Sequence, residues 1–180
     1  MTVSRRLSQR ISEGDGIAII VRVDDADDAR DAEHAGAKAV AVARPIAGIR
    51  EATTLPVLWL GDGEPGHADA VAIRPSEDEP DGHGLEEVLD VRDEDELERA
   101  LEVYDPEIFL LTAAGEDEEV DPLDAVLELL PDVPAGKLAI AQVDVTSRDE
   151  VLALERAGID AVLVGKGHVR ELVGHRPVDV

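Results

Sequence analysis

Short runs of Val, Ile, Leu and Ala recur along the chain, each bounded by Asp, Gly or Pro, and most are followed by an amphipathic stretch. Eight such runs can be counted. The first is IAIIVRV (residues 17–23), followed by DDADDARDAEHAG, in which Asp24 or Asp25 can cap a helix and Gly36 can stop it. The second, residues 38–43, leads into a short helical piece at 46–53. The third, residues 57–60, is reached through Pro56, and the fourth, residues 70–73, comes after only GDGEPGHAD. The fifth, residues 88–91, precedes DEDELERALEVY, whose Leu97, Ala100, Leu101 and Tyr104 recur at helical spacing. The sixth, residues 108–111, has 123–130 as its helix; the seventh, 138–143, precedes SRDEVLALERAG with a Ser or Asp start and a Gly stop; the eighth, 161–164, precedes a final turn over 168–173.

Strands alternating with helices imply a parallel sheet with right-handed crossovers, and eight of them favour closure into a barrel, which leaves no edge. The pattern therefore predicts a minimal α/β fold: a (β/α)8 TIM barrel with eight parallel strands. No helix of useful length fits between the third and fourth runs, or in RPSEDEPDGHGLEE between the fourth and fifth, because Gly, Pro and acidic residues dominate both. Barrels usually need at least about 200 residues. A 180-residue chain must economise, and helices missing after strands three and four are the predicted economy. The expected organisation is a short N-terminal extension, 1–16, and a single barrel domain, 17–180. The outer face of strands three and four would then lie uncovered, with Trp59 on it if Leu58 and Leu60 point inward; the opposite register stays open. A homodimer or a packed-down loop is expected to cover that face.

Composition narrows the filling of this fold. The apolar fraction is 44%, yet Phe109, Trp59, Tyr104 and Met1 are its only large aromatic or thioether side chains, so Val, Leu, Ile and Ala must fill the interior. The formal net charge is −25, from 42 Asp plus Glu against 17 Lys plus Arg, and only Lys38, Lys137 and Lys166 are lysines. Such a surface repels nucleic acid and anionic membrane. It fits either an acidic, lysine-poor shell of the kind salt-adapted proteins carry or a surface that recruits a basic partner; the spread of acids along the whole chain favours the first. The absence of cysteine excludes disulfides and thiolate chemistry. The stretch MTVSRRLSQRISEGDG has no apolar core, and no run approaches the roughly eighteen residues that span a bilayer, so no membrane association and a cytoplasmic location are expected.

The C-terminal third, DVTSRDEVLALERAGIDAVLVGKGHVRELVG, resembles the end of indole-3-glycerol phosphate synthases, where a Glu-Ser-Gly-Ile strand end, a helix, Gly-Val-Asp-Ala-Val-Leu-Val-Gly and a short phosphate-binding helix follow in that order. Further segments are similar in the same order: HAGAKAVAV to the family's second strand, TLPVLWL to the third, HADAVAI to the fourth, VLDVRDEDELERAL to the fifth with its helix, and YDPEIFLL to the sixth. The resemblance spans residues 17–174. It implies a barrel of the enzyme that closes and decarboxylates an anthranilate-linked deoxyribulose phosphate in tryptophan biosynthesis, a carbon-carbon lyase that works without a cofactor. That chemistry needs a lysine acid, carboxylates that move protons, and a dipole-rich phosphate cradle.

Position by position the resemblance implies losses. The family's first-strand Glu-x-Lys is expected on Ile19 and Val21, and its third-strand lysine on Leu60 or beside it. The fifth-strand glutamate falls on Asp90, the one candidate catalytic residue retained. The sixth-strand Asn-Asn-Arg falls on Thr112, Ala113 and Ala114, and the seventh-strand Glu-Ser-Gly on Gln142, Val143 and Asp144. An aspartate where a glycine lets the backbone approach phosphate repels the dianion. Gly165, Lys166 and Gly167 keep small residues and add a cation before a helical turn, and are the candidate phosphate-binding residues. The family's helices before the first strand have no room in the sixteen residues that precede Ile17. Synthase activity is therefore expected to be weak or absent, the alternatives being a repurposed barrel that binds a small phosphorylated or polar ligand and a non-catalytic barrel.

Asp24, Asp62, Asp90 and Asp144, with Arg44, Arg74 and Arg92, are expected to ring the carboxyl-end mouth, where they would bind a polar ligand or a hard cation such as Mg²⁺, or simply form salt bridges. His34, His67, His83, His168 and His175 show no zinc spacing, and only His168 is expected near the mouth; no metal site is assigned. GDGEPG and EPDGHG lack the strand and helix context of a nucleotide fingerprint.

Overall fold

The computed structural model describes residues 3–76, 82–113 and 119–174. Eight parallel strands close into a barrel in chain order: β1 (Ala18–Arg22), β2 (Ala39–Val42), β3 (Val57–Trp59), β4 (Ala70–Ile73), β5 (Glu86–Val91), β6 (Ile108–Thr112), β7 (Leu138–Gln142) and β8 (Ala161–Val164). The ring is completed by β8 against β1, with Ile20 level with Leu163 and Val21 level with Val164. Each strand sits on one of the Val-, Ile- and Ala-rich runs, because branched side chains fit a pleated sheet buried on both faces.

The helices follow their strands as capped units. They are α2 (Ala26–His34), α3 (Ile49–Ala52), α4 (Glu94–Val103), α5 (Pro122–Leu129), α6 (Arg148–Ala157) and α7 (Val169–Val173), with a 3-10 turn, Leu130–Asp132, after α5. Asp25, Asp93, Asp121 and Ser147 accept hydrogen bonds from the first free backbone N–H groups of α2, α4, α5 and α6. In α6 the box is reciprocal, since Glu150 accepts from the Ser147 backbone, and Gly158 ends the helix at φ 107°, a left-handed conformation that glycine adopts without a Cβ clash. Among the described residues no helix crosses from β3 to β4 or from β4 to β5, and none is long and apolar enough to span a membrane.

Two apolar layers result. One fills the barrel, with Ile20, Leu58, Val88, Leu110, Ile140 and Leu163 among small residues such as Ala39, Ala70 and Ala161. The other, outside, joins Ile19, Val21, Val40, Phe109, Ala141 and Val162 to the helices. This register corrects the expected placement of the family's Glu-x-Lys: Ile19 and Val21 point out into the helix layer, and the inward positions of β1 are Ile20 and Arg22.

The N-terminal segment also departs from its description as a bare extension. It contains α1 (Arg6–Ser12), whose Leu7 (0% exposed) and Ile11 (4%) join the barrel-filling layer. The helix sits at the amino ends of the strands, because Ser8 reaches Glu86 at the start of β5 and Arg6 reaches Asp69 just before β4, 2.8 Å away. Asp69 also accepts from Arg50 (2.9 Å) and from the Val57 backbone (2.8 Å). With so few large side chains on the strands, two from a helix complete the interior from below.

Trp59 lies on the outer face, as the Leu58 and Leu60 alternation requires, but only 3% of it is exposed within one chain. The loop after β3 packs down: Ala68 joins the same apolar layer, Pro65 is buried, and the backbone of Gly61 lies so close to the indole that an added Cβ would stand 2.9 Å from the ring. Burial of Trp59 is thus achieved without a second copy of the chain.

Candidate ligand site at the barrel mouth

The residues that end the inward-facing rows at the carboxyl side of the barrel are Arg22, Leu60, Asp90, Thr112, Gln142 and Gly165, each two positions beyond a barrel-filling residue. A cavity of about 540 Å³ opens there over the ends of β6, β7, β8 and β1, with Arg22, Thr112, Leu123, Gln142, Asp144 and Gly165 in its wall.

Beside it runs a short polar chain. Thr112 Oγ1 lies 2.8 Å from Asp90 Oδ1 and 3.2 Å from the amide of Gln142. A threonine hydroxyl has one proton, so it can donate to only one of them. The Asp90 carboxylate, which accepts only, takes the shorter bond. The Gln142 amide oxygen, at 3.2 Å, is the longer of the two contacts to that hydroxyl. Arg92 stands 3.9 Å from the other Asp90 oxygen. Asp90 is thereby held, with a side-chain exposure of 15%.

Arg22 is the residue that sequence reasoning missed. It is exposed, it lines the cavity, and its guanidinium makes no hydrogen bond or ion pair to any described residue. The arginines expected at the mouth are otherwise engaged: Arg74 pairs with Glu96, Arg44 donates to the Asp24 carbonyl at 3.3 Å, and Arg92 faces Asp90. The signal for Arg22 was present in IAIIVRV, but only in one of its two alternations.

The candidate phosphate-binding turn is arranged differently from its expectation. Lys166 reaches back to the loop and first turn of α2, with Nζ 3.3 Å from Asp24 and 2.9 Å from Asp28. Those carboxylates, Asp28 first, raise the lysine above its usual range, and the lysine in turn holds Asp28 below the usual carboxylate range. Gly165 and Gly167 have no atom within 4 Å of where a Cβ would stand, and neither has a positive φ. Neither crowding nor backbone strain within the chain requires glycine at these two places.

The remaining candidates disperse. Asp62 is exposed in the loop after β3, Asp144 is exposed in the cavity wall, and His168, at φ 40°, faces Glu171 at 3.4 Å on α7. His34 lies at the end of α2; His67 and His83 lie in loops. Ala114 and His175 are outside the described residues. Among the described residues no three His, Asp or Glu side chains converge as a metal site.

No protein-family model matches the chain. It is 36% identical over 89 residues to the indole-3-glycerol phosphate synthase of Variovorax paradoxus, a match that covers 49% of the chain and 33% of that protein. It is 29% identical over 120 residues to that of Leptothrix cholodnii, covering 67% of the chain and 42% of that protein. The chain thus spans about a third to two fifths of the length of these curated relatives. Among solved structures, (S)-3-O-geranylgeranylglyceryl phosphate synthase from Thermoplasma acidophilum, crystallised with sn-glycerol-1-phosphate, superposes with a TM-score of 0.63 at 16% identity, covering 96% of this chain and 95% of that one. The likeness shows the fold: the chain is a (β/α)8 TIM barrel with partial sequence similarity to indole-3-glycerol phosphate synthases.

Proposed function

We propose that this protein is an indole-3-glycerol phosphate synthase-like barrel whose mouth binds a small phosphorylated ligand and that has weak synthase activity or none. The observation that carries the reading is Arg22, a guanidinium without a partner among the described residues, in the wall of the mouth cavity next to the open backbone of Gly165. A guanidinium presents a fork of N–H donors that matches phosphate oxygens, and a glycine with no steric duty of its own allows close approach of an outside anion.

The same residue argues against the synthase reaction. An arginine side chain keeps its proton under all ordinary conditions, so Arg22 can stabilise an oxyanion but cannot act as the proton-donating acid that a lysine supplies. Leu60, just after β3, offers no proton, and Gln142 stands at the end of β7 where the resemblance implies a carboxylate. Asp90 remains as the candidate proton-handling group, tied to Thr112. Losing one such acid or base lowers rates by about 10²–10⁴-fold. Gly165 and Gly167 are the backbone part of the anion site, with Lys166 an outer cation that two aspartates already neutralise.

Calorimetric titration with sn-glycerol-1-phosphate and with inorganic phosphate tests this. Wild type is expected to bind, Arg22→Gln to bind about tenfold more weakly or not detectably, and Lys166→Ala to change affinity little. Absence of binding by either probe overturns the reading and leaves a barrel without this ligand. Turnover of the synthase substrate at an ordinary enzymatic rate overturns the statement about activity.

A further inference from the structure

Among the described residues, the mouth cavity carries one unpaired charge of each sign. Arg22 ends β1 and Asp144 follows β7, and both side chains line the cavity without a hydrogen bond or ion pair to any described residue. They do not pair with each other, so more than 4 Å separates their charged atoms. The other carboxylates in the wall are occupied: Glu150 accepts from the backbone N–H groups of Thr146 (2.7 Å) and Ser147 (3.1 Å), and Asp121 accepts from Leu123 (2.9 Å). β8 lies between β7 and β1 in the ring, which puts Gly165 on the line from one charge to the other. Neighbouring strands are about 4.8 Å apart, so the two stems stand about 10 Å apart across the cavity.

A phosphate near Gly165 would gain from Arg22 and be repelled by Asp144 unless the ligand itself brings a positive charge to that side. We infer that the preferred ligand is bipolar, a small aliphatic amine phosphate whose anionic group meets Arg22 and the Gly165 backbone and whose ammonium meets Asp144. This rests on the phosphorylated-ligand reading above and goes beyond it by naming the second group. Charge complementarity at both ends rejects ligands that lack either charge more than it adds affinity, because an unpaired partner is left facing the ligand.

Titration calorimetry at one fixed, moderate salt concentration with O-phosphoethanolamine, glycerol 1-phosphate and ethanolamine tests the inference. In wild type, phosphoethanolamine is expected to bind about fivefold more tightly than glycerol 1-phosphate, the scale of one partly exposed ion pair. Asp144→Asn is expected to abolish that preference while glycerol 1-phosphate binds as well or better; Asp144 is exposed and unpartnered, so the variant keeps its fold. Arg22→Gln weakens both phosphates. Asp62→Asn removes an exposed carboxylate outside the cavity and controls for general attraction of amines to an acidic surface; it is expected to leave the preference intact. Equal affinities in wild type, a preference that survives Asp144→Asn, or one lost in Asp62→Asn overturns the bipolar assignment while leaving phosphate binding standing. Failure of both phosphates to bind overturns the phosphate reading as well.

Discussion

Ser8 gives both of its donors to Glu86: its backbone N–H lies 2.9 Å from one carboxylate oxygen and its hydroxyl 2.5 Å from the other. Both residues are more than nine-tenths buried, so the pair fastens α1 to the start of β5 where water cannot replace a lost bond. Ser8→Ala leaves one buried oxygen short of a donor and is expected to cost about 1–3 kcal/mol. Urea denaturation followed by circular dichroism measures this; an unchanged midpoint would show that the latch contributes nothing.

The helix that this pair holds is part of the interior. Leu7 is fully buried among the barrel-filling residues, and Leu7→Ala removes its side chain from a space the strands cannot refill. The expected loss is about 2–5 kcal/mol, a fall in melting temperature of roughly 5–15 °C for a chain of this size. A loss under 1 kcal/mol would place α1 outside the cooperative core.

Glu33 supplies a pH-dependent tie between α2 and the segment before β3. The Thr54 hydroxyl, and then the Thr54 backbone N–H, bind its charged form and hold its carboxyl below the ordinary value of 4.5. The folded state therefore releases this proton more readily than the unfolded chain, so the contribution is complete above the ordinary value and is lost as pH falls through the lower folded value. Asp28 and Glu150 are lowered in the same direction, by Lys166 and by the Thr146 backbone respectively, whereas burial raises Asp160, whose protonation favours the fold. Wild type is expected to be more stable than Glu33→Gln at pH 7, with the difference shrinking below about pH 4.5. A difference constant from pH 7 to pH 3 contradicts this.

With a formal net charge of −25, the fold is expected to be stabilised by salt. Screening shortens the range over which surface carboxylates repel, from about 30 Å at 0.01 M to about 3 Å at 1 M salt. The single tryptophan, buried against the loop after β3, reports unfolding at that face. Its thermal transition is expected to rise by several degrees between low and molar NaCl; a transition independent of salt would remove repulsion as a determinant of stability.

Much of this was legible along the chain. Eight branched apolar runs, the Asp24 or Asp25 start of the first helix, and the Ser or Asp start and Gly stop of the helix after the seventh run are local features, and their alternation pointed to the closed parallel barrel that is found; the caps at Asp93 and Asp121 were not singled out. Asp90, Thr112 and Gln142 could be placed at strand ends for the same reason. The inward face of β1 could not. Both faces of a barrel strand are apolar, so IAIIVRV reads equally well in either alternation, and only pairing with β8 and β2 turned Ile19 and Val21 outward and Arg22 toward the mouth. Likewise, the attachment of Lys166 to Asp24 and Asp28 and the seating of Leu7 beneath the barrel join residues far apart in sequence. Which distant side chains meet once the ring has closed is decided by the tertiary structure alone, because no local pattern pairs them.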